Sequence, residues 1–94
     1  MRDDTALSVE IVDARADDRA EVVVRCLRGT LRAGQQVRIT EREGSSVSEP
    51  APLTVRTIWR YGKAVDFIDR AHSGKLELVG EIGAINVGNL IVAC

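Results

Sequence analysis

Arg25-Cys26-Leu27-Arg28-Gly29-Thr30-Leu31-Arg32-Ala33-Gly34-Gln35-Gln36-Val37-Arg38-Ile39 is the stretch that decides the fold. On its N-terminal side, Glu21 to Leu27 reads Glu-Val-Val-Val-Arg-Cys-Leu and is rich in β-branched residues. On its C-terminal side, Val37 to Thr40 alternates apolar with polar. Both patterns belong to strands: branched side chains fit a pleated surface, and alternation sets one apolar face against a core. Gly29 and Gly34 bracket Thr30-Leu31-Arg32-Ala33. Glycine reaches positive φ at low steric cost, so two this close predict two sharp changes of direction. The stretch reads as strand, turn, short extended piece, turn, strand.

Strand patterns continue outward in both directions. Met1 to Thr5 is polar and expected to be loose. Ala6 to Ala14 sets Leu7, Val9 and Ile11 against Ser8 and Glu10, which predicts a half-buried strand with those three apolar residues on one face. The charged turn Ala16-Asp17-Asp18-Arg19 leads into Ala20 to Leu27, completing a hairpin. Beyond the double-glycine stretch, Gln36 to Glu41 is a strand, and Arg42-Glu-Gly-Ser-Ser-Val-Ser-Glu-Pro50 is a polar, mobile loop. Pro52 to Arg60 follows as a strand with Leu53, Val55, Thr57 and Trp59 on one face and Thr54, Arg56, Ile58 and Arg60 on the other. Each face holds apolar groups, so alternation does not say which points inward.

Tyr61-Gly62-Lys63 reads as a hairpin turn, and Ala64 to Ile68 returns. Val65, Ile68 and Ala71 recur at three-residue spacing and allow one helical turn. Lys75 to Glu81 alternates again, and Asn89 to Cys94 closes the sheet. Six to eight short strands with turn signals between them, and no helical stripe ten residues long, define an all-β chain. A sheet this small hides its edges by closing, so residues 1–94 are expected to form one small closed β-barrel, rich in antiparallel pairs.

Composition narrows the function classes. The formal net charge is −1, which predicts no bulk attraction to nucleic acid. Of the thirteen basic residues, eleven are arginine, the residue suited to flat, bidentate contacts and to stacking; an arginine-biased background is the competing explanation. The aromatic residues are Trp59, Tyr61 and Phe67, so the core must be built from aliphatic side chains. No 18-residue apolar run predicts a transmembrane helix, and the acidic Met-Arg-Asp-Asp start lacks the apolar segment of a signal peptide. Cys26 and Cys94 lack metal or redox spacing, which points to a reducing compartment, with the cytoplasm as the expected location.

Arg28-Gly29-Thr30-Leu31-Arg32-Ala33-Gly34-Gln35-Gln36-Val37 resembles the x-Gly-x-φ-x-x-Gly-(Asp/Glu/Gln)-x-φ segment (φ, an apolar residue) in the second domain of translational GTPases, such as elongation factor Tu and the selenocysteine-specific elongation factor. Three further segments resemble that domain in order and spacing: Leu53-Thr-Val-Arg-Thr-Ile-Trp-Arg-Tyr-Gly-Lys-Ala-Val65, Ala71-His-Ser-Gly-Lys-Leu-Glu-Leu78, and Asn86-Val-Gly-Asn-Leu90. The resemblance covers roughly residues 20 to 92 and implies a closed β-barrel. It departs from the pattern at Val24, where the family usually has glycine, and in about three extra residues within Asp66 to Arg70. The 94 residues contain no Gly-x4-Gly-Lys-(Ser/Thr) phosphate loop, so a barrel without its GTPase domain and with no nucleotide of its own is expected.

In that family the barrel contacts the acceptor end of aminoacyl-tRNA or ribosomal RNA, so the resemblance implies RNA or the ribosome as partner. The residues allow the same reading. Arg25, Arg28, Arg32, Arg56, Arg60 and Lys63 cluster in the central third with Trp59 and Tyr61 interleaved, and arginine beside aromatic groups can hold phosphates and stack bases. The candidate binding set is Arg25, Arg28, Arg32, Arg56, Trp59, Arg60 and Lys63. The alternative is a protein-binding or homodimeric barrel with an apolar outer patch, for which an exposed Ile58 is the diagnostic position. Catalysis finds little support: His72, the only histidine, lies beside Ser73 and three residues after Asp69, whereas triads are assembled from distant elements. No metal spacing and no cofactor motif is present, and neither Asp3-Asp4 nor Asp17-Asp18 forms a ready carboxylate pair on an extended chain.

Overall fold

A computed structural model describes residues 5–40, 52–83 and 85–93. The loop expected over 42–50 and Cys94 lie outside the described residues, as do residues 1–4. Thr5, counted above with the loose N-terminus, is buried and donates from Oγ1 to the Thr30 carbonyl (3.1 Å).

Nine strands are present among the described residues: β1 (Ala6–Arg15), β2 (Arg19–Arg28), β3 (Thr30–Arg32), β4 (Gln36–Thr40), β5 (Leu53–Arg60), β6 (Lys63–Val65), β7 (Phe67–Asp69), β8 (Ser73–Val79) and β9 (Leu90–Ala93). Six of them form a closed antiparallel barrel in the order β4-β9-β1-β2-β8-β5, with β4 pairing back onto β5. β6 extends the sheet beyond β5, while β3 and β7 form a separate two-stranded sheet. The double-glycine stretch is as its sequence predicts. Gly29 (φ +76°) and Gly34 (φ +92°) turn the chain on either side of the three-residue β3.

The core is aliphatic throughout. Leu7 and Val9, Val22 and Val24, Val37, Val55 and Ile58, Leu76 and Leu78, and Ile91 fill the barrel with no exposed surface. Leu31 of β3 and Ile68 of β7 are equally buried and belong to the same core. The two-stranded sheet is therefore a plug for one end of the barrel.

Two β-bulges overturn parts of the strand reading. In β1 the register shifts between Val9 and Ile11, which turns Ile11 outward, 53% exposed, instead of placing it with Leu7 and Val9. In β5 the shift lies between Val55 and Thr57, so Leu53, Val55 and Ile58 all face inward. Ile58 is fully buried and is not the exposed position of the protein-binding reading. Trp59 falls on the outer wall. An extra residue in a strand exchanges its faces, so unbroken alternation misassigns everything beyond it. The helical turn allowed over 65–71 is also absent. Phe67–Asp69 is β7, paired with β3, because Ile68 has a core site to fill.

Candidate nucleic-acid interface

Strand pairing gathers six of the eleven basic residues among the described ones at the plugged end of the barrel. β2 and β5 both run antiparallel to β8, so the C-terminal ends of β2 and β5 lie beside the start of β8. Arg25 pairs with Ser73 at that end, and Arg60 pairs with Lys63 across the β5–β6 hairpin. That hairpin is a two-residue turn with positive φ at both central residues, Tyr61 (+54°) and Gly62 (+76°), which matches the twist of the strands it joins. The plug is tied to β2 through the backbone: Cys26 N–H donates to the His72 carbonyl (2.8 Å), and Ala71 N–H donates to the Cys26 carbonyl (2.9 Å).

Among the described residues, the two ends differ in charge. Residues 25–34 and 60–73 contain six arginines and lysines (Arg25, Arg28, Arg32, Arg60, Lys63, Arg70) against two carboxylates, Asp66 and Asp69. The opposite end, around residues 15–18 and 79–83, carries Arg15 against Asp17, Asp18 and Glu81, while Arg19 and Asp13 turn onto the outer wall. Gly80 and Ile82 N–H groups donate to the Asp18 and Asp17 carbonyls and hold those two segments together. A net charge of −1 conceals this polarity.

Five of the seven candidate residues, Arg25, Arg28, Arg32, Arg60 and Lys63, come to the basic end; Trp59 lies on the adjoining outer wall, and Arg56 lies further along that wall. Arg56 is the bulged residue of β5, exposed, with its Nε 4.0 Å from Glu77 Oε1. Arg25, Arg32, Arg60 and Lys63 have no carboxylate partner among the described residues. Two of these arginines lie over aromatic rings. The Arg60 guanidinium is 5.4 Å from the centre of the Tyr61 ring, and that of Arg32 is 5.9 Å from the centre of the Phe67 ring. Phe67 escaped the sequence reading because its segment looked like a returning strand or a helical turn; an aromatic residue flanked by Asp66 and Asp69 was the available signal.

Trp59 lies on the outer wall in a cross-strand row with Lys75, Val23 and Ile11. It lines an open depression of about 440 Å³ with Glu21, Val23, Tyr61, Gly62, Gly74 and Lys75. Lys75 is held by Asp13 (2.6 Å) and faces Glu21 (3.7 Å). The hydrogen bond to Asp13 is the main cause that raises its pKa above the usual 10.5, against a smaller opposing effect of burial. Further along the wall, Glu77 is buried although it faces outward. Thr57 Oγ1 donates to its Oε1 (3.0 Å), and Arg19 Nη1 donates to its Oε2 (3.3 Å).

Other chemistry finds few groups to work with. His72 Nδ1 and Asp69 Oδ1 are 2.5 Å apart on the surface of the plug, and both side chains are nearly half exposed. The Cys26 thiol is free, and burial pushes its pKa up, partly offset by a hydrogen bond with the Arg28 backbone. Among the described residues, no group of three or more His, Cys, Asp and Glu side chains is placed to hold a metal ion.

No protein-family model matches this sequence, and no curated protein matches it. Among solved structures, the chain is similar to translation elongation factor SelB from Methanococcus maripaludis in its apo form. The barrel matches a translation-factor barrel. The TM-score is 0.76 at 13% sequence identity, over 95% of this chain. The likeness extends to 18% of the elongation factor's length, and it is a likeness of fold. The resemblance read from the Gly29–Gly34 stretch and its three companion segments agrees with it at that level.

Proposed function

We propose that this chain is a non-catalytic RNA-binding module of the translation-factor barrel type, working in the cytoplasm, with RNA meeting the plugged end at Arg25, Arg28, Arg32, Trp59, Arg60 and Lys63. The observation that carries this reading is the segregation of charge: among the described residues, six basic residues stand against two carboxylates at one end. Phosphate binding releases counterions wherever cations are locally concentrated, whatever the net charge of the protein. Likeness to an elongation factor adds a translation context, with ribosomal RNA or tRNA as the natural source.

Trp59 is the only tryptophan, so its fluorescence reports directly on the depression beside this end. Titration with single-stranded RNA is expected to change its emission. Using the cations Arg25, Arg32, Arg60 and Lys63 on phosphates gives a log–log salt slope of about −3. Arg25→Glu with Arg60→Glu is expected to abolish binding, whereas Arg56→Ala leaves it intact. Unchanged affinity in the double reversal would refute this surface.

A second reading has one observation in its favour. Ile11, Val23 and Trp59 make a partly exposed apolar row on the outer wall, suited to a protein partner or a second copy. Concentration-dependent association that Ile11→Asp removes and the double reversal spares would favour it.

A further inference from the structure

We infer that the RNA taken at this end is unpaired, with bases stacking on Tyr61 and Phe67 and adjacent phosphates held by Arg60 and Arg32; the inference rests on the RNA reading above. Single exposed aromatic residues are common and need no explanation. Here two of them lie at the end that carries the excess of basic residues, Tyr61 93% and Phe67 47% exposed, and each has an arginine against its ring. Neither arginine has a carboxylate partner among the described residues, and although the Arg60 Nε is buried, the terminal nitrogens of each guanidinium are not committed to an acid and suit a phosphate beside the ring.

The backbone that carries each ring is positioned in advance. Tyr61 occupies the first central position of a tight two-residue turn. Phe67 is fixed by its pairing with Arg32, between strands whose Leu31 and Ile68 are locked in the core. Stacking a base therefore does not require ordering a loop, a cost that would otherwise reduce affinity. A duplex cannot use these platforms, because its bases are already stacked on one another and its reading edges lie in grooves. Every base has a π-face, so the surface should discriminate strandedness far more than sequence.

The test is fluorescence anisotropy with a labelled oligouridine of about ten nucleotides, within the span such surfaces cover, against a fully paired RNA duplex of equal length. The single strand is expected to bind at least about 10-fold more tightly than the duplex. Tyr61→Ala and Phe67→Ala are each expected to weaken single-strand binding about 5- to 100-fold, the range for losing one base stack. Both should leave duplex binding unchanged, and Tyr61→Phe should retain affinity. Circular dichroism on each variant verifies that these surface changes leave the fold intact. Equal binding of both RNAs, with no effect of the aromatic variants but loss in Arg25→Glu with Arg60→Glu, overturns the inference and leaves the RNA reading standing. Binding of neither RNA overturns both.

Discussion

The plugged end and the outer wall around Glu77 use the same kinds of residue in opposite ways. On the wall, Arg19 and Arg56 gather on Glu77, and Lys75 sits between Asp13 and Glu21, so three cations meet three carboxylates and little charge is left for a ligand. At the plugged end Arg25, Arg32, Arg60 and Lys63 meet no carboxylate among the described residues. The end does not need them for cohesion, because aliphatic plugging and close backbone approach hold it together. The count of arginines is thus a poor guide to function, and the informative quantity is how many have their charge satisfied internally.

If the plugged end is held by close approach, glycine substitutions there should have the largest effect on stability. A Cβ on Gly29 would lie 2.7 Å from the Thr5 Cα, at a φ of +76° that side chains rarely adopt. Gly34 has a φ of +92° with nothing within 4 Å of the position. Gly29→Ala is expected to cost about 3 kcal/mol, from left-handed strain plus overpacking against β1. Gly34→Ala should cost about 1 kcal/mol, from strain alone. Urea denaturation measures both, and equal losses would mean that Thr5 does not pack on Gly29 in solution.

On the wall, the effects should be smaller and should leave the proposed RNA binding untouched. Glu77→Ala removes the acceptor of Thr57 and the partner of Arg19 from a site where only 10% of the glutamate side chain is exposed. A loss of about 1–2 kcal/mol is expected, as for a partly buried hydroxyl and a charged group losing their partner. Glu77→Gln, which retains an acceptor for Thr57, should recover part of it. Arg56, with 69% of its side chain exposed, should cost less than about 0.5 kcal/mol on truncation to alanine. A large fall in RNA affinity in Arg56→Ala would erase the distinction between wall and end.

What the sequence made legible follows from how local each signal is. The turns at Gly29, Gly34 and Tyr61-Gly62 depend on backbone conformation at the residue itself, and all were readable. The barrel was readable from strand number and the ordered family segments. Facing was not: the bulges at Glu10 and Arg56 exchange inside for outside, and neither residue type announces a bulge. Alternation therefore could not say which face of Leu53–Arg60 is buried, and Ile58 was read as a surface position. The basic cluster was legible as a set, but its subdivision was not. The acid that occupies Arg56 is Glu77, and the same acid binds Arg19 from 58 residues away, a pairing that exists only once β2, β8 and β5 lie side by side.

The ion pair of Lys75 is the smallest of these effects, and it carries a defined sign. Its pKa is raised in the folded chain, chiefly by the hydrogen bond from its ammonium to Asp13, with the charges of Asp13 and Glu21 adding to it. A group whose folded pKa lies above its unfolded value stabilises fully below the unfolded value, here the ordinary 10.5, and loses that contribution as pH climbs through the folded one. Wild-type protein is therefore expected to exceed Asp13→Asn in stability by a small, constant margin below this pH, small because the pair is exposed, and to lose that margin as pH climbs above it. Tyrosine ionises in the same range, so the difference between the two urea midpoints, followed from pH 9 to about pH 12, is the quantity to read. Parallel curves would show that Lys75 does not hold Asp13 in solution. Its charge would then be available beside Trp59, and the cationic surface would extend from the plugged end onto the wall.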